Sequence, residues 1–185
     1  QPKARIYFAE TWLGTPQPLP SGAGHHRFVW NLRYPPPPTL ESHYSIAATP
    51  GKSTPILPEG AFVLPGSYSV RFTAGGRTVT KTLDITMDPR LDVSEEELAS
   101  LLAFQQQVTG VLQRAVTLHD EIEAASEEEQ AASMADIPDK VAKALTALAI
   151  DLEHADAAPT ASQRELFEYE SRRFDQANKE WVGLR

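Results

Sequence analysis

The chain has 185 residues, of which 41% are hydrophobic, and it contains no cysteine. Disulfides, thiolate metal sites and cysteine nucleophiles are therefore excluded, and no apolar run approaches the roughly 20 residues of a membrane-spanning helix. The net charge of −8 is unevenly divided, with +3 on residues 1–89 and −11 on residues 90–185. Acidic surfaces repel nucleic acid, so nucleic-acid binding is not expected. The contrast predicts two units, residues 1–90 and 91–185.

A β-strand is predicted at residues 26–33. Phe28, Trp30 and Leu32 share one face of this segment, the period-two pattern of a half-buried strand. Trp30 is therefore expected in the core. An additional edge strand is expected at residues 5–8.

A β-hairpin is predicted around Gly75-Gly76, two residues that tolerate the positive φ of a tight turn. The alternating apolar residues on one face of its two strands are Tyr68, Val70, Phe72, Val79, Leu83 and Ile85. Short strands with Gly and Pro turns and no intervening helix favour an Ig-like or fibronectin-like β-sandwich. Such a sandwich seldom carries a catalytic site of its own.

A proline-rich stretch follows the first predicted strand. Four prolines, residues 35–38, come directly after Tyr34 and favour a stiff polyproline II conformation. This stretch is interpreted either as a ligand for an aromatic groove or as a rigid crossover between the two sheets of the sandwich. The crossover is the favoured interpretation.

The second half of the chain predicts helices. Ser94 with Glu97, and Thr160 with Gln163, form capping boxes, and Asp136 precedes an early-turn proline. The predicted helices run from about 94 to 125, from 136 to about 155, and from 160 onward. Their apolar stripes consist of Leu98, Leu101, Leu102, Val108, Leu112, Ala115 and Ile122, then Val141, Leu145, Leu148 and Leu152, then Leu166, Phe167, Phe174, Ala177 and Trp181. These stripes favour a helical hairpin or a three-helix bundle, and the whole chain is predicted to be α+β.

Catalytic chemistry is not indicated by the sequence. No nucleophile elbow, phosphate-binding loop or dinucleotide fingerprint is present, and the five histidines lack the spacing of metal ligands. The acidic runs at 95–97 and 127–129 occupy predicted first helical turns, where the helix dipole favours negative charge. We expect no enzyme activity, no cofactor and no metal.

Exposed aromatic and proline side chains are the candidate interaction residues. Trp12 lies outside any periodic pattern, beside a second stretch rich in proline. The candidate set is Trp12, Tyr34, Pro35, Pro36 and Tyr44.

Four short motifs carry a resemblance to a known family. Residues 24–35, with the sequence GHHRFVWNLRYP, resemble a segment near the C-terminus of large bacterial repeat proteins, the BNR or sortilin (Vps10)-like β-propeller proteins, which are described as glycosyl hydrolases. Residues 64–72 resemble their P-G-x-Y-x-V-x-L hairpin, residues 87–90 their D-P-R exit, and residues 158–163 the opening of their last helix.

The resemblance covers the chain from about Gly24 to its end and implies an Ig-like domain with a helical tail. In that family the propeller precedes this region and would carry any hydrolase activity. No propeller repeat occurs here, so no catalytic residue is carried over. The chain is expected to be a C-terminal portion of such a protein, periplasmic or extracellular, with its signal peptide absent or already removed.

The function expected from these observations is that of a non-catalytic scaffold or accessory subunit in a periplasmic or cell-surface assembly. Its partners would be proteins of an envelope or membrane complex, and the chain itself would not span the membrane. The alternative is a carbohydrate-binding accessory module of a glycoside hydrolase-like protein, with Trp12, Tyr34 and Tyr44 contacting the sugar.

Overall fold

The computed structural model describes residues 22–40, 57–125 and 134–184. Within these ranges the chain forms two strands and then three helices: β1 (Gly66–Ala74), β2 (Arg77–Ile85), α1 (Glu95–Ala125), α2 (Asp136–Leu152) and α3 (Ala161–Gly183). The strands form a single antiparallel sheet, and each helix contacts the other two. The helical half is therefore a bundle of three helices.

The capping box predicted for α1 is confirmed. The backbone N–H of Glu97 donates to the Ser94 hydroxyl at 3.2 Å, and the Glu97 carboxylate accepts the Ser94 N–H at 2.9 Å. Each side chain thus satisfies a backbone group that the first helical turn leaves without an intrahelical partner. All seven apolar residues predicted to form the inward stripe of α1 are buried.

The starts of α2 and α3 differ in their capping. Thr160 and Gln163 form the predicted reciprocal box at the start of α3. In α2, by contrast, Ala135 occupies the N-cap without a side-chain hydrogen bond, and Asp136 is the first helical residue. The prediction that Asp136 caps α2 is therefore wrong, and α2 ends at Leu152 rather than near residue 155.

The hydrophobic core lies in the helical half. Its buried members come from all three helices, with Val108, Leu112 and Leu145 completely inaccessible to solvent. Phe174, Ala177 and Trp181 of α3 are buried as predicted, whereas Leu166 is exposed. Neither β-strand contributes a residue to this core.

The predicted β-hairpin is present, and its turn has the expected geometry. Gly75 and Gly76 have φ values of 55° and 73°, which correspond to the two left-handed positions of a type I′ turn. This turn matches the right-handed twist of the flanking strands and pairs Ala74 with Arg77. The register then places Phe72 opposite Val79.

The predicted Ig-like or fibronectin-like β-sandwich is not present in the part of the chain that the structure describes. Residues 26–33 do not form a strand; their one β-bridge joins Arg33 to Phe62. Leu32 has a φ of +61°, which interrupts an extended conformation, and Phe28 is exposed. The predicted strand at residues 26–33 is therefore wrong, and its predicted inward residue Phe28 and outward residue Val29 are both exposed. The edge strand predicted at residues 5–8 lies outside the described residues.

The four consecutive prolines do not connect two sheets. Pro37 and Thr39 are buried, and Pro37 lies beside Gln105 of α1 and Ala149 of α2. Leu40 packs against the helical core. The proline stretch therefore packs against the helices through Pro37. Pro35 and Pro36 are exposed.

Candidate interaction surface

One face of the β-hairpin presents apolar side chains to solvent. We call the side chains of Val70, Phe72, Val79 and Leu83 the hairpin face, since the register brings them to one side of the sheet. Phe72 is 67% exposed and Val79 is 53% exposed. A contiguous apolar surface of this kind is typical of a contact site, and a two-stranded hairpin is at best marginally stable without cover.

Basic side chains border the hairpin face on the β2 side. Arg77 and Lys81 alternate with Val79 on that side of the sheet, and Arg71 lies on the opposite side. Within the described parts of the chain, none of these three cations forms an ion pair. The surface therefore combines apolar contacts with uncompensated positive charge.

The opposite face of the hairpin is polar. Thr73 and Thr78 lie across from each other with their hydroxyl oxygens 2.9 Å apart. Thr80 and Thr82 continue this row along β2. The two faces thus have different chemistry, and only one of them suits an apolar partner.

Two aromatic residues fix the base of the hairpin. Trp30 packs edge-on against Tyr68 with ring centroids 6.1 Å apart. The Trp30 indole N–H donates to the Arg33 carbonyl at 3.0 Å, and the Tyr68 hydroxyl donates to the Leu64 carbonyl at 2.7 Å. The sequence predicts that Trp30 lies in the core, but its side chain is only half-buried.

A polar junction joins this base to the helices. The Glu153 carboxylate accepts the backbone N–H groups of Glu59 and Gly60, each at 2.9 Å. The Arg33 guanidinium donates to the Gly60 carbonyl at 2.6 Å and lies 3.6 Å above the ring of Phe62. These contacts tie two separate segments to the end of α2, and so they set where the hairpin emerges.

Burial governs the ionisation of Glu153. Desolvation raises the pKa of its carboxyl above the ordinary value, and the two backbone N–H donors and nearby Arg33 only partly offset this effect. In comparison, Asp88 has a lowered pKa because its carboxylate accepts hydrogen bonds from Arg90. A perturbed carboxyl alone does not make a catalytic site, and Glu153 is explained by its role at the junction.

A partly open cavity of about 330 Å³ lies between the hairpin base and the helices. Apolar side chains provide most of its lining, among them Leu32, Leu64, Ile85 and Leu102. Leu32, which lines it, is the one non-glycine residue with positive φ in the described ranges. The cavity lies between the base of the hairpin and the helices, and neither strand adds a residue to the core.

Three of the five candidate residues taken from the sequence, Tyr34, Pro35 and Pro36, lie within the described ranges. Trp12 and Tyr44 lie outside the described residues. Tyr34 is 42% exposed, and its backbone N–H donates to the Ala61 carbonyl at 2.8 Å. Pro35 and Pro36 are exposed beside it, away from the hairpin face in sequence.

The sequence pattern predicts that the apolar residues of the hairpin face lie in a sandwich core, so it does not indicate this face as a site. Period-two alternation identifies the apolar side of a hairpin but carries no information about what covers it. The available signal was the basic pair Arg77 and Lys81, which share that side with Val79 and would be costly to bury.

Among the described residues, no group of three or more His, Cys, Asp or Glu side chains is arranged to hold a metal ion. The same part of the chain contains no helix that is both long and apolar enough to cross a bilayer. Comparisons with protein-family models, curated proteins and solved structures found no match.

Proposed function

We propose that this chain is a non-catalytic interaction module that binds another protein through the hairpin face. The observation that carries the proposal is the exposure of Phe72 and Val79 on a sheet that no other described element covers. Apolar area removed from water stabilises a complex by about 25 cal/mol per Å² before the costs of association. A central aromatic such as Phe72 is a typical anchor for such a contact.

The separation of the hydrophobic core from the hairpin supports this proposal. The helical bundle has its own buried core, so the hairpin is free to project without supplying that core. The junction at Glu153 and Arg33 orients the hairpin relative to the bundle. The helical bundle thus provides a stable fold from which the two-stranded sheet projects.

The setting we propose is a periplasmic or cell-surface assembly. This part of the proposal is supported by the sequence resemblance to the C-terminal region of the bacterial β-propeller proteins, which are exported. In that setting the chain would act as a scaffold or accessory subunit of an envelope complex. The carbohydrate-binding alternative has no comparable support, because Tyr34 is the one residue of its aromatic set within the described ranges.

Site-specific photo-crosslinking tests the proposal. A photoreactive amino acid is placed at Phe72 on the hairpin face or at Thr73, its neighbour on the polar face. We expect one dominant crosslinked protein from the native envelope fraction with the first position and little with the second. The variant Phe72→Ser should abolish co-purification of that protein. Equal crosslinking at both positions, or none at either, would contradict the proposal.

A further inference from the structure

We infer that the partner contributes an extended segment that pairs with the free edge of β2 as a third strand, with acidic and apolar side chains alternating on the side of the hairpin face. This inference rests on the proposed function and specifies the chemistry of the partner. Three features of the hairpin support it: its open edge, its charge pattern and the unsuitability of a second copy.

The free edge follows from the register. In a hairpin with a two-residue turn, the flanking pair Ala74 and Arg77 is hydrogen-bonded, and hydrogen-bonded and non-hydrogen-bonded pairs then alternate. Thr78, Thr80 and Thr82 therefore direct their backbone N–H and C=O groups away from β1. Within the described residues no other strand pairs with them. Such an edge accepts an added strand.

The charge pattern specifies the partner's side chains. Along β2, the residues on the side of the hairpin face are Arg77, Val79, Lys81 and Leu83. Opposite charges and paired apolar groups on neighbouring strands stabilise a sheet, whereas like charges destabilise it. The complementary strand therefore has an acidic residue opposite each cation and an apolar residue opposite Val79 and Leu83. The exposed β1 side lacks cations on this face, so the pattern selects β2.

A second copy of the chain fits this edge poorly. Antiparallel pairing of the whole of β2 with itself would place Lys81 opposite Lys81, because that residue lies at the centre of the strand. Moving the register so that Val79 is central would place Arg77 opposite Lys81. Both arrangements bring like charges together, and the register centred on Thr80 places Lys81 opposite Val79 and Arg77 opposite Leu83, so neither cation gains a carboxylate. An acidic polypeptide pairs both cations, and it is therefore favoured over a second copy.

Synthetic peptides provide the test. The probe is a fluorescent peptide Val-Thr-Glu-Thr-Val-Thr-Glu, and its matched control has lysine in place of both glutamates. Fluorescence anisotropy with the whole chain should show binding of the acidic peptide about tenfold tighter than that of the basic one, since two ion pairs become two repulsions. The double variant Arg77→Glu, Lys81→Glu should reverse this preference.

Proline variants identify the edge. Thr80→Pro removes an outward N–H from β2 without removing a hairpin hydrogen bond, and Ser69→Pro does the same on β1. We expect the first variant to weaken binding of the acidic peptide at least about tenfold and the second to leave it unchanged. Amide NMR signals of Val79 and Phe72 show whether each hairpin remains folded, and the charge reversal still decides the question if one does not.

The outcomes separate this inference from the proposed function. Equal binding of both peptides, or equal effects of the two proline variants, would overturn the third-strand inference; continued crosslinking at Phe72 would then leave the proposed function standing. Crosslinking of Phe72 solely to a second copy would also overturn the inference. Loss of both crosslinking and peptide binding would contradict both proposals.

Discussion

The Glu153 carboxylate, directly after α2, accepts the backbone N–H of Gly60 at 2.9 Å across 93 positions of sequence. This contact connects the helical bundle with the segment that leads into the hairpin. Because the strands contribute nothing to the core, the position of the hairpin depends on polar contacts of this kind and on the packing of Trp30 against Tyr68. The junction is therefore the part of the fold where single substitutions should have informative effects.

Replacing Glu153 with alanine should destabilise the protein. The substitution removes the acceptor of two backbone N–H groups and leaves the nearly buried Arg33 side chain without one of its carboxylate neighbours. We expect a loss of about 1–3 kcal/mol in the free energy of unfolding, measured by urea denaturation. Glu165→Ala, on the exposed surface of α3, is the control and should change it by less than about 0.5 kcal/mol. Equal losses of unfolding free energy in the two variants would show that the Glu153 contacts do not stabilise the fold.

The ionisation of Glu153 should make stability depend on pH in a defined direction. Its pKa in the folded state is raised above the ordinary 4.5, so the folded chain binds this proton more tightly than the unfolded chain. The contribution of Glu153 is then fully present below pH 4.5 and is lost as the pH rises through the folded-state pKa. The stability of the wild type relative to Glu153→Gln should therefore increase as the pH is lowered from 7. An NMR titration midpoint for Glu153 below 4.5 would contradict this.

Two glycines should respond oppositely to alanine. Gly60 has a φ of +96°, and a Cβ there would lie 2.2 Å from the Tyr34 carbonyl oxygen. Gly110 lies inside α1, and apart from its chain neighbours and the backbone of its own helix no atom lies within 4 Å of its Cβ position. Gly60→Ala should cost at least about 1–3 kcal/mol, and Gly110→Ala should stabilise by about 0.5–1 kcal/mol. Thermal denaturation of both variants checks the pair, and a stabilised Gly60→Ala would refute the close approach.

The helices were predictable because their signals are local. A capping box such as Thr160 with Gln163 satisfies backbone groups within one turn, so it forms wherever the chain is helical. The stripe in α1 has the spacing of one helix face, and its residues are buried. The start of α2 is the exception: the sequence indicates Asp136 as the cap, whereas Ala135 occupies the N-cap without a side-chain hydrogen bond.

The sequence alone does not show whether the predicted strands assemble into a sandwich, because each strand must pair with a strand that lies far away along the chain. Alternation at residues 26–33 is compatible with a strand, but a strand also needs a neighbour to pair with. Here Trp30 turns its indole N–H to the carbonyl of Arg33, and Leu32 has positive φ. The junction at Glu153 was equally invisible, because its partners lie more than 90 positions away.

Alanine variants of Leu145 and Phe72 test whether the helical core provides stability while the hairpin face provides binding. Leu145 is fully buried among the helices, whereas Phe72 is 67% exposed on the hairpin face. Leu145→Ala should lower the free energy of unfolding by about 2–5 kcal/mol, because it removes buried methyl groups and leaves a cavity. Phe72→Ala should change it by less than about 0.5 kcal/mol and yet weaken partner binding. Urea denaturation measures both stability changes, and co-purification of the protein crosslinked at Phe72 measures the loss of binding. A large stability loss from Phe72→Ala would mean that this side chain is covered within the protein in solution, and the hairpin face would then be unavailable to a partner.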